Sequence, residues 1–204
     1  MEIDFQTHLL TAARQLTSPH CNERPAGLPV DMVVIHGISL PPNEFGTGIV
    51  EKFFCGELPV SDELYYQEIK DLRVSAHLLI SRLGKITQFV PFNRRAWHAG
   101  VSLFKGRDNC NDFSIGIELE GTDDLSYTEE QYKQLALVLK TLMTAYPAIT
   151  RSRIVGHVDV APGRKTDPGE SFDWMRLDCL LEAGHNSGSQ RGAPQEINLK
   201  EEDV

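Results

Sequence analysis

Residues 156–169 read Gly-His-Val-Asp-Val-Ala-Pro-Gly-Arg-Lys-Thr-Asp-Pro-Gly. An imidazole (His157), an ammonium (Lys165) and two carboxylates (Asp159, Asp167) crowd into one loop stiffened by proline and glycine. A divalent metal would organise such a loop, because neutral imidazole and carboxylate are both zinc donors. A catalytic zinc takes three protein ligands and leaves one position open. His157 and Asp167 supply two, so a third is expected from elsewhere in the chain.

The chain has seven histidines. His8, His20 and His185 fall in the N-terminal region or the tail and read as ordinary surface or core residues. His36 is different. It ends the apolar, β-branched run Met32-Val-Val-Ile, which predicts a buried strand. Strand ends open from the core onto a sheet edge, where sites are common. His157 likewise follows two β-branched residues, Ile154 and Val155. His36, His157 and Asp167 would complete a His-His-Asp set. No His-Glu-x-x-His competes with it.

Glu118 is the next candidate. In Ile115-Gly-Ile-Glu-Leu-Glu-Gly, alternation puts Ile115, Ile117 and Leu119 on one face and Gly116, Glu118 and Glu120 on the other. A carboxylate in so apolar a strand is costly without a partner or a task. It is either on a solvated face or a general base for water. Lys165 stands two residues before Asp167. It is either a solvated loop lysine or a cation near the reacting carbonyl, where it would steady an oxyanion. Arg73, His77, Trp97 and His98 form a weaker group. His77 is as readily a hydrogen-bonded structural residue, and Trp97 presents either a sugar-binding face or a core ring. Asp159 has no role beyond orienting a ligand or closing the turn.

Several elements must position these groups. Phe5, Leu9, Leu10, Ala13 and Leu16 recur at helical spacing and predict a short N-terminal helix. A helical piece is expected around Ile49–Phe54. Ser75 to Ser81 and Ile86 to Val90 read as a β-hairpin about a glycine turn. Phe113 to Leu119 reads as a strand. Thr128 and Gln131 form a capping box for the clearest helix, whose apolar face is Leu135, Val138, Leu139 and Leu142 and which Pro147 stops. Phe172 to Leu181 predicts a last helix. The expected fold is α/β (α+β), a single domain over residues 1–181 with one mixed sheet flanked by helices. Residues 182–204 turn to Gly, Ser, Asn, Gln and charge and read as a disordered tail.

With 204 residues and 41% hydrophobic content, the chain can bury a proper core. Its net charge of −9 argues against a nucleic-acid surface, which needs a basic face; the short Arg94-Arg95 pair is its largest basic cluster. The four cysteines (Cys21, Cys55, Cys110, Cys179) show no Cys-x-x-Cys and read as reduced thiols. The first residues lack the basic and apolar regions of a signal peptide, and no apolar run reaches the roughly 18 residues a span needs. A cytoplasmic protein, off the membrane and monomeric by default, is expected.

These motifs together resemble the bacterial zinc amidases of the N-acetylmuramoyl-L-alanine amidase family, and within it the cytosolic enzymes that act on 1,6-anhydro-muropeptides. The resemblance runs from about Ser18 to Trp174. It rests on His36 with Ile-Ser-Leu-Pro-Pro behind it, Leu72-Arg-Val-Ser-Ala-His, Arg95-Ala-Trp-His-Ala-Gly-Val-Ser, Cys110-Asn-Asp-Phe-Ser-Ile-Gly-Ile-Glu-Leu-Glu-Gly-Thr-Asp, and Arg164-Lys-Thr-Asp-Pro-Gly, in that order. It implies a peptidoglycan-recognition-like fold. It implies Zn2+ held by His36, His157 and Asp167, with Glu118 and Lys165 catalytic. It also implies that Arg73 and Trp97 touch peptide and sugar. The implied reaction cleaves the amide between anhydro-N-acetylmuramic acid and L-alanine, a step in cell-wall recycling that lowers muropeptide signals inducing β-lactamase. Two alternatives share the fold: an amidase of intact cell wall, and a peptidoglycan-binding module without activity. One position departs from the pattern: Gly37 follows His36 where asparagine is expected, which predicts a missing polar contact near substrate.

Overall fold

The computed structural model describes residues 1–183. His185 and almost all of the expected tail lie outside the described residues. Four short strands come first: β1 (Ile3–Asp4), β2 (Leu9–Leu10), β3 (Arg14–Gln15) and β4 (Cys21–Glu23). β5 (Met32–Ile38) follows, then helices α1 (Ile49–Phe54) and α2 (Leu64–Ile69). Next come β6 (Leu78–Ile80), β7 (Ile86–Gln88), β8 (Arg94–Ala96), β9 (Leu103–Phe104), β10 (Arg107–Asp108) and β11 (Ser114–Glu120). The chain continues through α3 (Glu129–Ala145), β12 (Ile154–Gly156), α4 (His157–Val160) and α5 (Trp174–Glu182).

The central sheet has the order β12-β5-β11-β6-β7-β3. It is mixed: β12, β5, β11 and β6 run parallel, and β7 turns back antiparallel to β6. Strand alternation divides its residues into two faces. Val33, Ile35, Ile115, Ile117 and Leu119 join Leu135, Leu139 and Leu142 of α3 and Leu177 of α5 in one core. Each such fully buried aliphatic side chain contributes about 1.5–3 kcal/mol over exposure. The opposite face carries Val34 and His36 on β5 and Ser114, Gly116, Glu118 and Glu120 on β11.

The capping box forms as the sequence predicts. Gln131 N donates to Thr128 Oγ1 at 3.2 Å, and Thr128 N donates to Gln131 Oε1 at 3.0 Å. Gln131 Nε2 also donates to the Glu120 carbonyl at 2.8 Å, tying the helix start to the end of β11. The hairpin is β6–β7, with Gly84 in its turn at φ +74°, a left-handed value that suits glycine.

The predicted N-terminal helix is not formed. Asp4 instead folds a turn: its Oδ1 accepts from Gln6 N at 2.8 Å and its Oδ2 from Thr7 Oγ1 at 2.9 Å. The chain then reverses at His8, φ +57°, and β1 pairs antiparallel with β2. The apolar spacing is deceptive, because Leu10 is fully buried while Phe5 is 62% exposed. A local carboxylate that bonds its own backbone competes with helix formation. The last helix runs to Glu182, one residue past the expected limit of the domain. All four cysteines are free.

Candidate metal centre and active site

The sheet brings the distant candidates together. β5 continues two residues beyond His36, so the imidazole leaves the strand's interior rather than its end. β12 lies beside β5 and delivers His157 at the first position of α4. The loop after α4 folds back, and Val158 N donates to the Asp167 carbonyl at 3.0 Å. His36 Nδ1 thus lies 2.9 Å from His157 Nδ1 and 3.2 Å from Asp167 Oδ2. His157 Nδ1 lies 3.1 Å from the same Oδ2. These are the three donor atoms of a group that could hold a metal ion.

Their chemistry fits a cation. His157 Nε2 lies 3.2 Å from the Ala99 carbonyl, which only accepts, so the ring hydrogen sits on Nε2. His157 Nδ1 then presents a bare lone pair to Asp167 Oδ2. Two electron-pair donors in such contact repel until a positive charge sits between them. Two imidazole nitrogens and a carboxylate oxygen are zinc donors. Burial lowers His36 to about 4, so its imidazole is neutral.

Glu118 is buried on the same face. Burial, and then the charge of Asp167, raise its carboxyl well above the ordinary value, while Lys165 opposes the shift. Its strand neighbour Glu120 is a contrast. Glu120 accepts from the backbone N–H groups of Gly46 at 2.5 Å and Arg82 at 3.1 Å, so it is a structural carboxylate. Lys165 is exposed beside the cluster. Asp159 closes the turn: its Oδ2 accepts from Gly156 N at 2.7 Å.

Arg73 and Trp97 do not join the metal cluster. Arg73 lines a cleft with His20, Phe53, Leu58 and Tyr66. Trp97 stacks on His20 at 6.2 Å and donates from Nε1 to Asn22 Oδ1 at 2.6 Å. The two therefore flank His20. His77 is structural: its Nδ1 accepts from Gly116 N at 3.0 Å, and its Nε2 meets the Arg94 carbonyl at 3.0 Å.

Gly37 has a packing explanation. A Cβ there would stand 2.3 Å from Tyr127 Oη, which instead donates to the Pro168 carbonyl at 2.9 Å. That direction is opposite to the His36 side chain. The glycine makes room for Tyr127 beside the Asp167 loop. Tyr127 and Asn111 carry no spacing signal in the sequence; only folded contacts reveal them, those of Asn111 being the His98 and Ala99 backbone N–H groups that donate to its Oδ1 at 3.1 and 2.8 Å.

The N-acetylmuramoyl-L-alanine amidase family matches residues 26–170. The chain belongs to that family. This amidase is 53% identical over 173 residues to the 1,6-anhydro-N-acetylmuramyl-L-alanine amidase AmpD of Haemophilus influenzae, covering 85% of this chain and 94% of that protein. A crystal structure of a selenomethionine AmpD derivative superposes with a TM-score of 0.85 at 52% identity, covering 89% of this chain and 99% of the other. The Escherichia coli amidase AmiD, solved with anhydro-N-acetylmuramic acid-L-Ala-D-gamma-Glu-L-Lys, matches with a TM-score of 0.56 at 27% identity, over 78% of this chain and 60% of that one. Among the described residues, no helix is long and apolar enough to cross a membrane.

Proposed function

We propose that this amidase hydrolyses the amide joining the lactyl group of 1,6-anhydro-N-acetylmuramic acid to L-alanine in soluble muropeptides. The observation that carries the proposal is the convergence of His36, His157 and Asp167 beside the buried Glu118. The likeness to AmpD over 85% of the chain supports the substrate class.

His36, His157 and Asp167 would hold Zn2+. Bound there, zinc supplies a Lewis acid that acidifies water and polarises a carbonyl. The chain's own groups do the rest. Glu118 takes the proton of the attacking water on its carboxylate and returns it to the departing L-alanine nitrogen. Lys165 places a positive charge where the carbonyl oxygen turns anionic. Arg73 offers a guanidinium to a stem-peptide carboxylate, and Trp97 an aromatic face to the sugar. The catalytic domain runs from residue 1 through the end of α5 at Glu182 and acts as a monomer in the cytoplasm, in cell-wall recycling.

The test compares soluble anhydro-muropeptide with whole peptidoglycan sacculi as substrates, with products read by mass spectrometry. The reading predicts free peptide from the soluble substrate and little release from sacculi. Comparable turnover of sacculi would assign the enzyme to intact wall instead, and binding without cleavage of either would make it a recognition module.

A further inference from the structure

We propose that His98 is a positioning residue that leaves the correct nitrogen of His36 free for the metal, an inference that rests on the zinc reading above. A directional chain of hydrogen bonds carries it. Ser114 Oγ lies 2.6 Å from the Cys110 carbonyl. A carbonyl only accepts, so the single hydroxyl hydrogen of Ser114 is committed there. Ser114 Oγ then offers only lone pairs to His98 Nε2, 3.2 Å away, and that nitrogen carries the ring hydrogen. No carboxylate touches His98 among the described residues, so nothing balances a second proton. Its Nδ1 is therefore bare and accepts from His36 Nε2, 3.0 Å away. With its hydrogen on Nε2, His36 turns an unprotonated Nδ1 toward His157 and Asp167. Were the chain to run the other way, His36 would carry its hydrogen on Nδ1 and could not bind a cation there.

The surroundings hold this relay in place. The backbone N–H groups of His98 and Ala99 both donate to Asn111 Oδ1, at 3.1 and 2.8 Å. Asn111 and Cys110 belong to the same single turn of 3-10 helix, Cys110–Asp112. The Ala99 carbonyl accepts from His157 Nε2 at 3.2 Å. The dipeptide His98-Ala99 thus orients both imidazoles, one through a side chain and one through a carbonyl. The His98 ring lies against β11 at Gly116, where a Cβ would meet its Cγ at 2.4 Å. The lack of a side chain at 116 is what lets the ring reach His36.

The test measures zinc retention against a chromogenic chelator for the zinc-loaded wild type, His36→Ala, His98→Ala and His98→Asn. Asparagine restores an acceptor near the position of the imidazole Nδ1. Loss of such a partner costs metal affinity ~10- to 100-fold. The proposal predicts that loss for His98→Ala and substantial recovery for His98→Asn. Wild-type retention by His98→Ala, or Asn holding zinc no better than Ala, overturns it. A wild type that binds no zinc, or a His36→Ala that binds normally, overturns the metal reading itself and so separates the two failures. Should His98→Ala not fold, imidazole 15N NMR on the zinc-loaded wild type decides. His98 protonated on Nε2 alone sustains the relay, and protonation on Nδ1 overturns it.

Discussion

Glu118 and His36 are register partners across the parallel β11–β5 pair. Residues so paired leave the sheet on the same face, so the proposed base stands beside a proposed metal ligand through backbone pairing alone. This placement separates proton transfer from metal binding. Glu118→Gln keeps size and polarity but cannot take a proton. It should lower kcat by about 10²- to 10⁴-fold with one zinc still bound per chain. Near-normal turnover in this variant would remove Glu118 from the chemistry.

Lys165 is exposed, and its charge opposes the raised proton affinity of Glu118, so the role proposed for it is electrostatic. An oxyanion exists only in the transition state, so Lys165→Met should cut kcat by about 10²-fold or more with KM little changed. A raised KM at constant kcat would show that the lysine binds the ground state instead.

Gly37 and Tyr127 should behave as a coupled pair. Gly37→Asn puts a Cβ 2.3 Å from Tyr127 Oη, whereas the next atoms lie at a relaxed 3.6 Å. The single variant should lose about 1–3 kcal/mol in urea unfolding. Tyr127→Phe alone forfeits its hydrogen bond to Pro168, about 1 kcal/mol. The double variant should be more stable than the sum of the two losses. Strict additivity would mean that the hydroxyl is not what excludes a side chain at 37.

Much of the site was legible because its chemistry is concentrated in few residue types. His36 and His157 stood out as donors next to predicted strands, Asp167 as a carboxylate in a crowded loop, and Glu118 as a carboxylate in an apolar alternation. The capping box of Thr128 and Gln131 is local, so the sequence exposed it directly. What stayed hidden depends on contacts distant in sequence. Nothing near Gly37 announces Tyr127, 90 residues away. The N-terminal periodicity suggested a helix, but Leu10 N donates to Gln88 Oε1 at 2.6 Å, a tertiary contact that overrides local spacing. Cys21–Glu23 pairs with Arg94–Ala96 although neither run has β-rich composition.

Acid should destabilise the fold from near neutrality. Burial, then the charge of Arg24, holds His77 well below 6.5. The folded state keeps it neutral while the unfolded chain protonates it below about 6.5. Its contribution is therefore present above that pH and lost as pH falls, approaching about 1.4 kcal/mol per pH unit. Urea melts of wild type and His77→Gln between pH 7 and 5 should show a shallower slope in the variant, whatever its absolute stability. Parallel slopes would contradict a neutral, buried His77.

The most direct test of the zinc amidase reading is one measurement on one substrate. The rate of free-peptide release from soluble anhydro-muropeptide is followed before chelation, after chelation and after zinc is restored. The account predicts cleavage at the muramyl–L-alanine amide, its loss with the metal, and its return with zinc. Undiminished cleavage by metal-free protein, or an intact amide in the presence of zinc-loaded protein, would contradict it.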